Sequence, residues 1–223
     1  MSQRDRAVAL LLLALLNAFG FIDRVVVALV AEKIKAEYLV TDLEIGLLGG
    51  TAFAVVNTLA SVPIARLAER CRRSSVTACF LLIGSVFTAL CAATAGFGQL
   101  LACRLGMAGG SAATEAPPHS MISDMYPPER RASAISLFML GVPVAALLGS
   151  FFGGAIAEYY GWRDTFLVFG LAGGIIALLC FAFLKEPERA TQPEGDRKRP
   201  GTLAVFRTLF GSATLRFVVA GIA

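Results

Sequence analysis

Long apolar segments alternate with short polar ones along most of this chain. The first six apolar segments have about 20 residues each, which is long enough to cross a bilayer as a helix. These predicted spans are residues 7–31, 44–67, 75–95, 99–122, 132–157 and 165–184. A seventh apolar stretch covers residues 206–223. The pattern predicts an all-α integral membrane protein.

A polar segment separates the sixth and seventh apolar stretches. It contains Pro, Gly and charges of both signs, which is typical of a flexible connection. We therefore predict a six-helix transmembrane bundle over residues 1–184, a cytoplasmic linker over 185–205 and an incomplete seventh helix over 206–223. This organisation predicts one half of a larger carrier.

Basic residues are concentrated on alternate loops and predict the orientation of the bundle. The loops that contain Arg4 and Arg6, 66–73, 130–131 and 185–207 hold most of the Lys and Arg, whereas the opposite loops hold only Lys33, Lys35 and Arg163. The positive-inside rule then places the N-terminus in the cytoplasm, in a multi-pass protein of the cell membrane. A signal peptide is the weaker alternative for the first segment, because no small-residue cleavage site follows it.

Composition supports the membrane assignment and excludes other classes. Hydrophobic residues make up 57% of the chain and charged residues 16%, with a mean hydropathy of +0.71. The net charge of +4 follows from the loop pattern, so nucleic acid is not expected as a partner. No metal-ligand spacing, phosphate-binding loop or acid–base pair is present, so we expect neither a cofactor nor a metal, and not an enzyme.

Four charged residues lie within the predicted spans, where a charge costs on the order of 2.5–3.5 kcal/mol and usually faces a cavity or a partner. They are Asp23, Arg24, Arg104 and Glu115. Asp23 lies about 24 Å along the first span and Arg104 about 8 Å into the fourth, which runs the opposite way. We therefore expect Asp23 and Arg104 to pair across the bundle.

The fourth span is predicted to carry a polar stripe. Arg104, Ser111 and Glu115 fall on one face of a continuous helix and would line an aqueous cavity, with Asn17 and Asn57 in its wall. The alternative is that Arg104 reaches the outer interface and Glu115 bonds a neighbouring helix.

Several strings resemble the major facilitator superfamily, in particular its spinster-like branch. The loop at 63–73 (PIARLAERCRR) is similar to the superfamily signature G-x-L-A-D-R-x-G-R-R/K. The branch is suggested by 21–24 (FIDR), 42–48 (DLEIGLL), 120–131 (SMISDMYPPERR) and 161–163 (GWR). The ordered set covers residues 7–190.

The resemblance implies two inverted three-helix repeats in this bundle, which forms half of a 12-helix fold with a site near the midplane. It implies that Asp23, Arg24 and Arg104 serve proton coupling and gating. It also implies a cytoplasmic gate, and the residues assigned to that gate are Arg66, Glu69, Arg70, Arg73, Asp124 and Arg130. In one respect the chain departs from the family: the helix 4 string G-x-G-E-A places its Glu where this chain has Ser111, and Glu115 lies one turn later.

Two functions follow as expectations. The first is a secondary active transporter that moves a small organic or amphipathic solute by alternating access, driven by protons that titrate Asp23 or Glu115. The second is a truncated or accessory half that does not transport independently and acts only with a partner half or as a membrane scaffold.

Overall fold

The computed structural model describes residues 3–187, and every regular element in that range is a helix. The elements are α1 (Gln3–Tyr38), α2 (Asp42–Gly49), α3 (Thr51–Arg70), α4 (Arg73–Cys91), α5 (Phe97–Ser111), a 3₁₀ turn (Ala112–Thr114), α6 (Ala116–Met125), α7 (Pro128–Met139), α8 (Gly141–Tyr160) and α9 (Trp162–Phe183). The predicted linker beyond residue 187 and the predicted seventh helix lie outside the described residues. The all-α prediction is confirmed.

Five helical stretches in the described range are long and apolar enough to cross a membrane. They are Gln3–Tyr38, Asp42–Arg70, Arg73–Cys91, Pro128–Tyr160 and Trp162–Phe183. Each contains most of one predicted span. The first stretch extends past the predicted residue 31 because Val30 and Ile34 remain buried on one face while Lys33 and Lys35 leave the core.

The predicted span 99–122 is not one continuous helix. It is broken into α5 and α6 by the 3₁₀ turn and by Glu115, whose φ and ψ are −110° and −70°. Pro117 and Pro118 explain the break, because neither has an N–H for the carbonyl four residues earlier, and a proline disfavours helical geometry in the residue before it. The prediction of a continuous polar stripe on this span is therefore wrong.

The two largest of the four apolar core clusters in the described residues both include residues of α1. The first includes Leu13 and Leu16 with residues of α6, α7 and α9, and the second begins at Ala18 and continues to Ile34 with residues of α2, α5, α8 and α9. Asn17 lies between them and is buried. The polar residues of α1 thus lie near the middle of the bundle.

Glycines allow close helix contact at particular points. Gly110 of α5 lies against Gly84 of α4, and a Cβ at Gly110 would be 2.6 Å from the Gly84 Cα. Gly161, between α8 and α9, has a φ of +92°, which glycine adopts without the strain that a side chain would add.

Candidate functional site

A polar cluster near the middle of the bundle is built around Asp23 of α1. Its carboxylate accepts a hydrogen bond from the Thr88 hydroxyl of α4 (Oγ1–Oδ1 3.1 Å), and its backbone carbonyl accepts one from Arg104 of α5 (Nη2–O 3.4 Å). Arg104 is 1% exposed. Polar groups of α1, α4 and α5 therefore meet at the same depth in the bundle.

The expected ion pair between Asp23 and Arg104 does not form. The ion pairs within 4.0 Å among residues 3–187 do not include these two side chains, and Arg104 donates to the Asp23 backbone instead. The Nε and Nη1 atoms of Arg104 are buried without a hydrogen-bond partner in the described structure. The two residues lie at similar depths, as predicted, and are in contact. The prediction was wrong about the direction of the Asp23 carboxylate, which does not bind Arg104.

The ion pair that does form joins Arg24 to Glu115. Nη2 of Arg24 lies 3.1 Å from Oε1 of Glu115. The break before α6 positions Glu115 for this contact. In a continuous helix, the Glu115 side chain would point in a different direction around the helix axis. This ion pair was not predicted from the sequence.

The ring of Phe53 in α3 lies close to two guanidinium groups. The guanidinium carbon of Arg24 is 5.6 Å from the centroid of its ring, and that of Arg104 is 5.5 Å away. Both distances are within the range of a cation–π interaction. The buried Phe53 ring thus contacts two positive charges. The apolar pattern of the second span did not predict this contact.

A cavity of about 290 Å³ opens beside the Arg24–Glu115 pair. Its walls come from α1, the break before α6, α6 itself and the junction of α7 and α8. The lining residues are Asn17, Gly20, Phe21, Arg24, Thr114, Glu115, His119, Met139 and Val142. Asn17 and Glu115, which were predicted to line a cavity together with Arg104, Ser111 and Asn57, line this one.

Ser111 and Asn57 lie elsewhere. The Ser111 hydroxyl donates to the Asn57 side-chain oxygen (3.1 Å), and Ser111 borders a second, much smaller cavity that Asp23 also borders. Asn57 lines neither of these two cavities. Arg104, Ser111 and Glu115 therefore have three different partners instead of forming one stripe.

His119 and Asn17 hold the backbone around the larger cavity. Nδ1 of His119 lies 2.8 Å from the carbonyl oxygen of Glu115, and its ring packs edge-on against Phe138 at 5.0 Å. The Asn17 amide donates to the Phe138 carbonyl (3.4 Å). Since a carbonyl only accepts hydrogen bonds, Nδ1 of His119 carries the proton.

Arg73 forms the centre of a second cluster, at the end of the bundle where α1 begins. Nη1 of Arg73 lies 2.7 Å from Oδ2 of Asp124 and 2.6 Å from the Ser120 hydroxyl, and Nε lies 3.1 Å from Oε1 of Glu186. The other oxygen of Glu186 accepts from the backbone N–H of Ser74 (2.8 Å), in the first turn of α4. The cluster ties α4, α6 and the segment after α9 together.

The other residues predicted for a gate lie on the surface of the same end. Arg66, Glu69, Arg70 and Arg130 are exposed, whereas Arg73 is buried and Asp124 is partly buried. Glu186 was not predicted from the sequence, although a carboxylate that follows the last apolar segment is an available signal.

The titration of Glu186 yields a stability prediction. Burial raises its pKa, but the hydrogen bonds from Ser74 and Arg73 outweigh burial and hold the pKa of Glu186 below its usual value. Its contribution to stability is then fully present above the unfolded pKa of about 4.3 and lost as pH falls through the lower folded pKa. We expect Glu186→Gln to lower the free energy of unfolding by about 0.5–2 kcal/mol at pH 7, the usual cost of losing a helix N-terminal cap.

The measurement is thermal unfolding in detergent from pH 7 to pH 3. The gap between wild type and Glu186→Gln should close at the acid end. Glu32→Gln, the same change at an exposed position on α1, is the matched control and should track the wild type throughout. A gap that is constant across the pH range would contradict the prediction.

A third polar cluster lies at the opposite end of the bundle. Its contacts were not predicted from the sequence. Arg163 donates to Glu37 (Nη1–Oε1 2.5 Å), to the Tyr38 hydroxyl (3.1 Å) and to the Thr94 carbonyl (3.0 Å). Its guanidinium carbon lies 4.2 Å from the ring centroid of Trp162, whose Nε1 donates to Glu37 (2.6 Å). We refer to these five residues as the Arg163 cluster.

Comparisons with known proteins agree on one family. The Major Facilitator Superfamily model matches residues 10–223. Among curated relatives, an MFS-type efflux pump of Mycolicibacterium smegmatis is 29% identical over 75% of this chain and 39% of its own length. A hexuronate transporter of Bacillus subtilis is 25% identical over 87% of this chain and 46% of its own length.

Solved structures give the same result. A bacterial homologue of the human lysosomal transporter Spinster, inward-facing and unoccupied, is 31% identical with a TM-score of 0.83, over 96% of this chain and 51% of that one. The occupied form of such a homologue is 33% identical with a TM-score of 0.81, over 89% and 48%. The chain therefore spans about half the length of the proteins it matches.

Proposed function

Because this chain belongs to the Major Facilitator Superfamily, we propose that it moves a small organic or amphipathic solute across the cell membrane by alternating access, with its N-terminus in the cytoplasm. The observation that carries the proposal is the Arg24–Glu115 ion pair in the wall of the larger cavity. Charged residues within membrane spans usually mark a substrate or ion pathway.

The polar cluster supplies groups suited to coupling. Asp23 and Glu115 are carboxylates in the spans, and each lies beside an arginine: Asp23 through its backbone and Glu115 through its side chain. We assign proton coupling and gating to Asp23, Arg24, Arg104 and Glu115. A proton that joins either carboxylate changes the charge balance of the cluster, and the helices that carry it then prefer another arrangement.

The Arg73 cluster supports the proposed cytoplasmic gate. Arg73, Asp124 and Glu186 hold α4, α6 and the segment after α9 in one arrangement. The exposed Arg66, Glu69, Arg70 and Arg130 lie on the same end, where they are accessible to a partner half. Release of such contacts opens one side of a transporter and their formation closes it.

Transport is tested in proteoliposomes, with the protein expressed from its complete reading frame. The solutes are a hexuronate, which is what one relative's name describes, and a lysophospholipid, which represents the amphipathic class. We expect protein-dependent movement of at least one solute, faster with a pH gradient than without one. If neither solute moves above the empty-liposome background under proton or sodium gradients, the proposal fails.

A second candidate is a transporter half that works only with a partner half. The supporting observation is that the chain spans about half the length of its relatives. The mass of the native particle in detergent discriminates between the candidates. A two-half particle built from two polypeptides supports the second, and a single polypeptide that transports alone supports the first.

A further inference from the structure

The two members of the Arg24–Glu115 pair are held to different degrees. The side chain of Arg24 is 34% exposed, lies over the Phe53 ring and has a buried Nε without a hydrogen-bond partner in the described structure. The side chain of Glu115 is 54% exposed, and no other ion pair in residues 3–187 involves it. Arg24 is therefore the fixed member, and the Glu115 carboxylate is the one that moves away at little cost.

Among the described residues, the buried side-chain atoms without a hydrogen-bond partner near Asp23 are all arginine nitrogens. The buried polar atoms without a partner around Asp23 are Nε of Arg24 and Nε and Nη1 of Arg104. By contrast, the Asp23 carboxylate already accepts a hydrogen bond from Thr88. Buried donors without a partner are uncommon. Of these two arginines Arg24 lines the larger cavity and Arg104 does not, so Arg24 is the one that an acceptor group in that cavity can reach.

The cavity itself is suited to a small organic molecule. Its volume of about 290 Å³ is at the lower end of the range for ligand-binding cavities. Phe21, Met139 and Val142 provide an apolar wall, and the Thr114 and His119 side chains provide polar points. Nδ1 of His119 is engaged with the Glu115 carbonyl, so Nε2 is the ring nitrogen left to contact a ligand.

We propose that this cavity binds a small organic anion through Arg24, and that Glu115 is an internal competitor which occupies Arg24 when the anion is absent. The inference rests on the proposed transport function and names the substrate class of that same site. A carboxylate on the ligand forms two parallel hydrogen bonds with a guanidinium, which a lysine could not offer. The apolar part of the ligand then contacts the wall of Phe21, Met139 and Val142.

The competition makes opposite predictions for the two ends of the ion pair. Glu115→Gln removes the competing charge, so anion binding should become about 2–5 times tighter, in keeping with the modest strength of a partly exposed ion pair. Arg24→Gln removes the binding group, so anion binding should be lost. If the ligand were a cation held by Glu115, the first variant would instead weaken binding.

The experiment measures binding by calorimetry on the detergent-solubilised protein, without any gradient. The probes are phenylacetate, 2-phenylethylamine and 2-phenylacetamide, which are similar in size and carry negative, positive and zero charge. We expect phenylacetate to bind at least ten times more tightly than the other two. Arg24→Lys, which keeps the charge and loses the planar fork, should weaken phenylacetate binding without abolishing it, and it serves if Arg24→Gln does not fold.

Glu158→Gln is the matched control, because Glu158 forms an ion pair with Lys33 outside the cavity. It should leave the phenylacetate affinity unchanged. The inference is overturned if 2-phenylethylamine binds more tightly than phenylacetate, if Glu115→Gln weakens phenylacetate binding, or if neither wild type nor Glu115→Gln binds phenylacetate. A protein that binds phenylacetate but transports nothing would contradict the proposed function alone, and one that transports without anion binding would contradict this inference alone.

Discussion

Asp23→Asn is expected to reduce proton-driven transport to the background of empty liposomes while the protein still inserts and folds. The asparagine oxygen can still accept the hydrogen bond from Thr88, and the Arg104 contact is to the backbone, so the local structure is preserved. What the substitution removes is the negative charge and the site that gains and loses a proton. Solute uptake under a pH gradient, compared with the thermal unfolding midpoint of the same sample, checks the prediction.

Two further variants sharpen this test. Asp23→Glu retains a titratable carboxyl and should keep measurable transport. Asp164→Asn makes the same chemical change at an exposed position in the first turn of α9 and should transport like the wild type. If Asp23→Asn retained its response to the pH gradient, Asp23 would not be the coupling residue.

Gly110→Ala is expected to cost about 1–3 kcal/mol of stability or more, the usual penalty of overpacking, and to lower the yield of folded protein sharply. The added Cβ would lie 2.6 Å from both Cα and N of Gly84 and 2.8 Å from the carbonyl oxygen of Phe80. These are backbone atoms, so no side-chain rotation relieves the clash. Helices α4 and α5 would have to separate. The midpoint of thermal unfolding in detergent and the monodisperse fraction on size exclusion report the effect.

The same contact provides its own controls. A Cβ at Gly84 would meet Gly110 at an ordinary 3.5 Å, and a Cβ at Gly109 would meet nothing within 4 Å. Gly84→Ala should therefore be tolerated, and Gly109→Ala should be neutral or slightly stabilising, because alanine favours a helix over glycine by about 1 kcal/mol. Equal losses in all three variants would show that the contact does not determine the outcome.

The sequence was sufficient to predict the helical class, the family and the approximate positions of five of the spans. Those features follow from the length of the apolar runs and from ordered motifs, both of which are local properties of the chain. Pro117 and Pro118 are a local signal for the break at residues 112–115, but its effect on Glu115 depends on how the two helix pieces rotate about the turn.

The pairing of charges could not be predicted in the same way. Depth along a helix follows from residue count, and it brought Asp23 and Arg104 to the same level. Which group of Asp23 meets Arg104, backbone or side chain, depends on the rotation of α1 by a fraction of a turn. Arg24 is the next residue along α1, so the same rotation sends it towards Glu115.

Glu186 of the Arg73 cluster and the Arg163 cluster as a whole were missed for a different reason. Both join residues far apart in the chain, such as Arg73 with Glu186 and Arg163 with Glu37. Arg163 was interpreted only as a loop charge that sets orientation, and no role was predicted for Glu37 or Glu186. A charge count on a loop does not distinguish a solvated side chain from one that ties several helices together.

The length of α1 has a mechanical consequence. Its 36 residues form an unbroken rod of about 54 Å, well beyond the roughly 30 Å of a hydrocarbon core. Asp5 near one tip binds Lys185, and Glu37 near the other belongs to the Arg163 cluster. Each half of the helix is about 27 Å long, so a tilt of about 10° about its midpoint near Gly20 would move the two ends by about 5 Å in opposite directions.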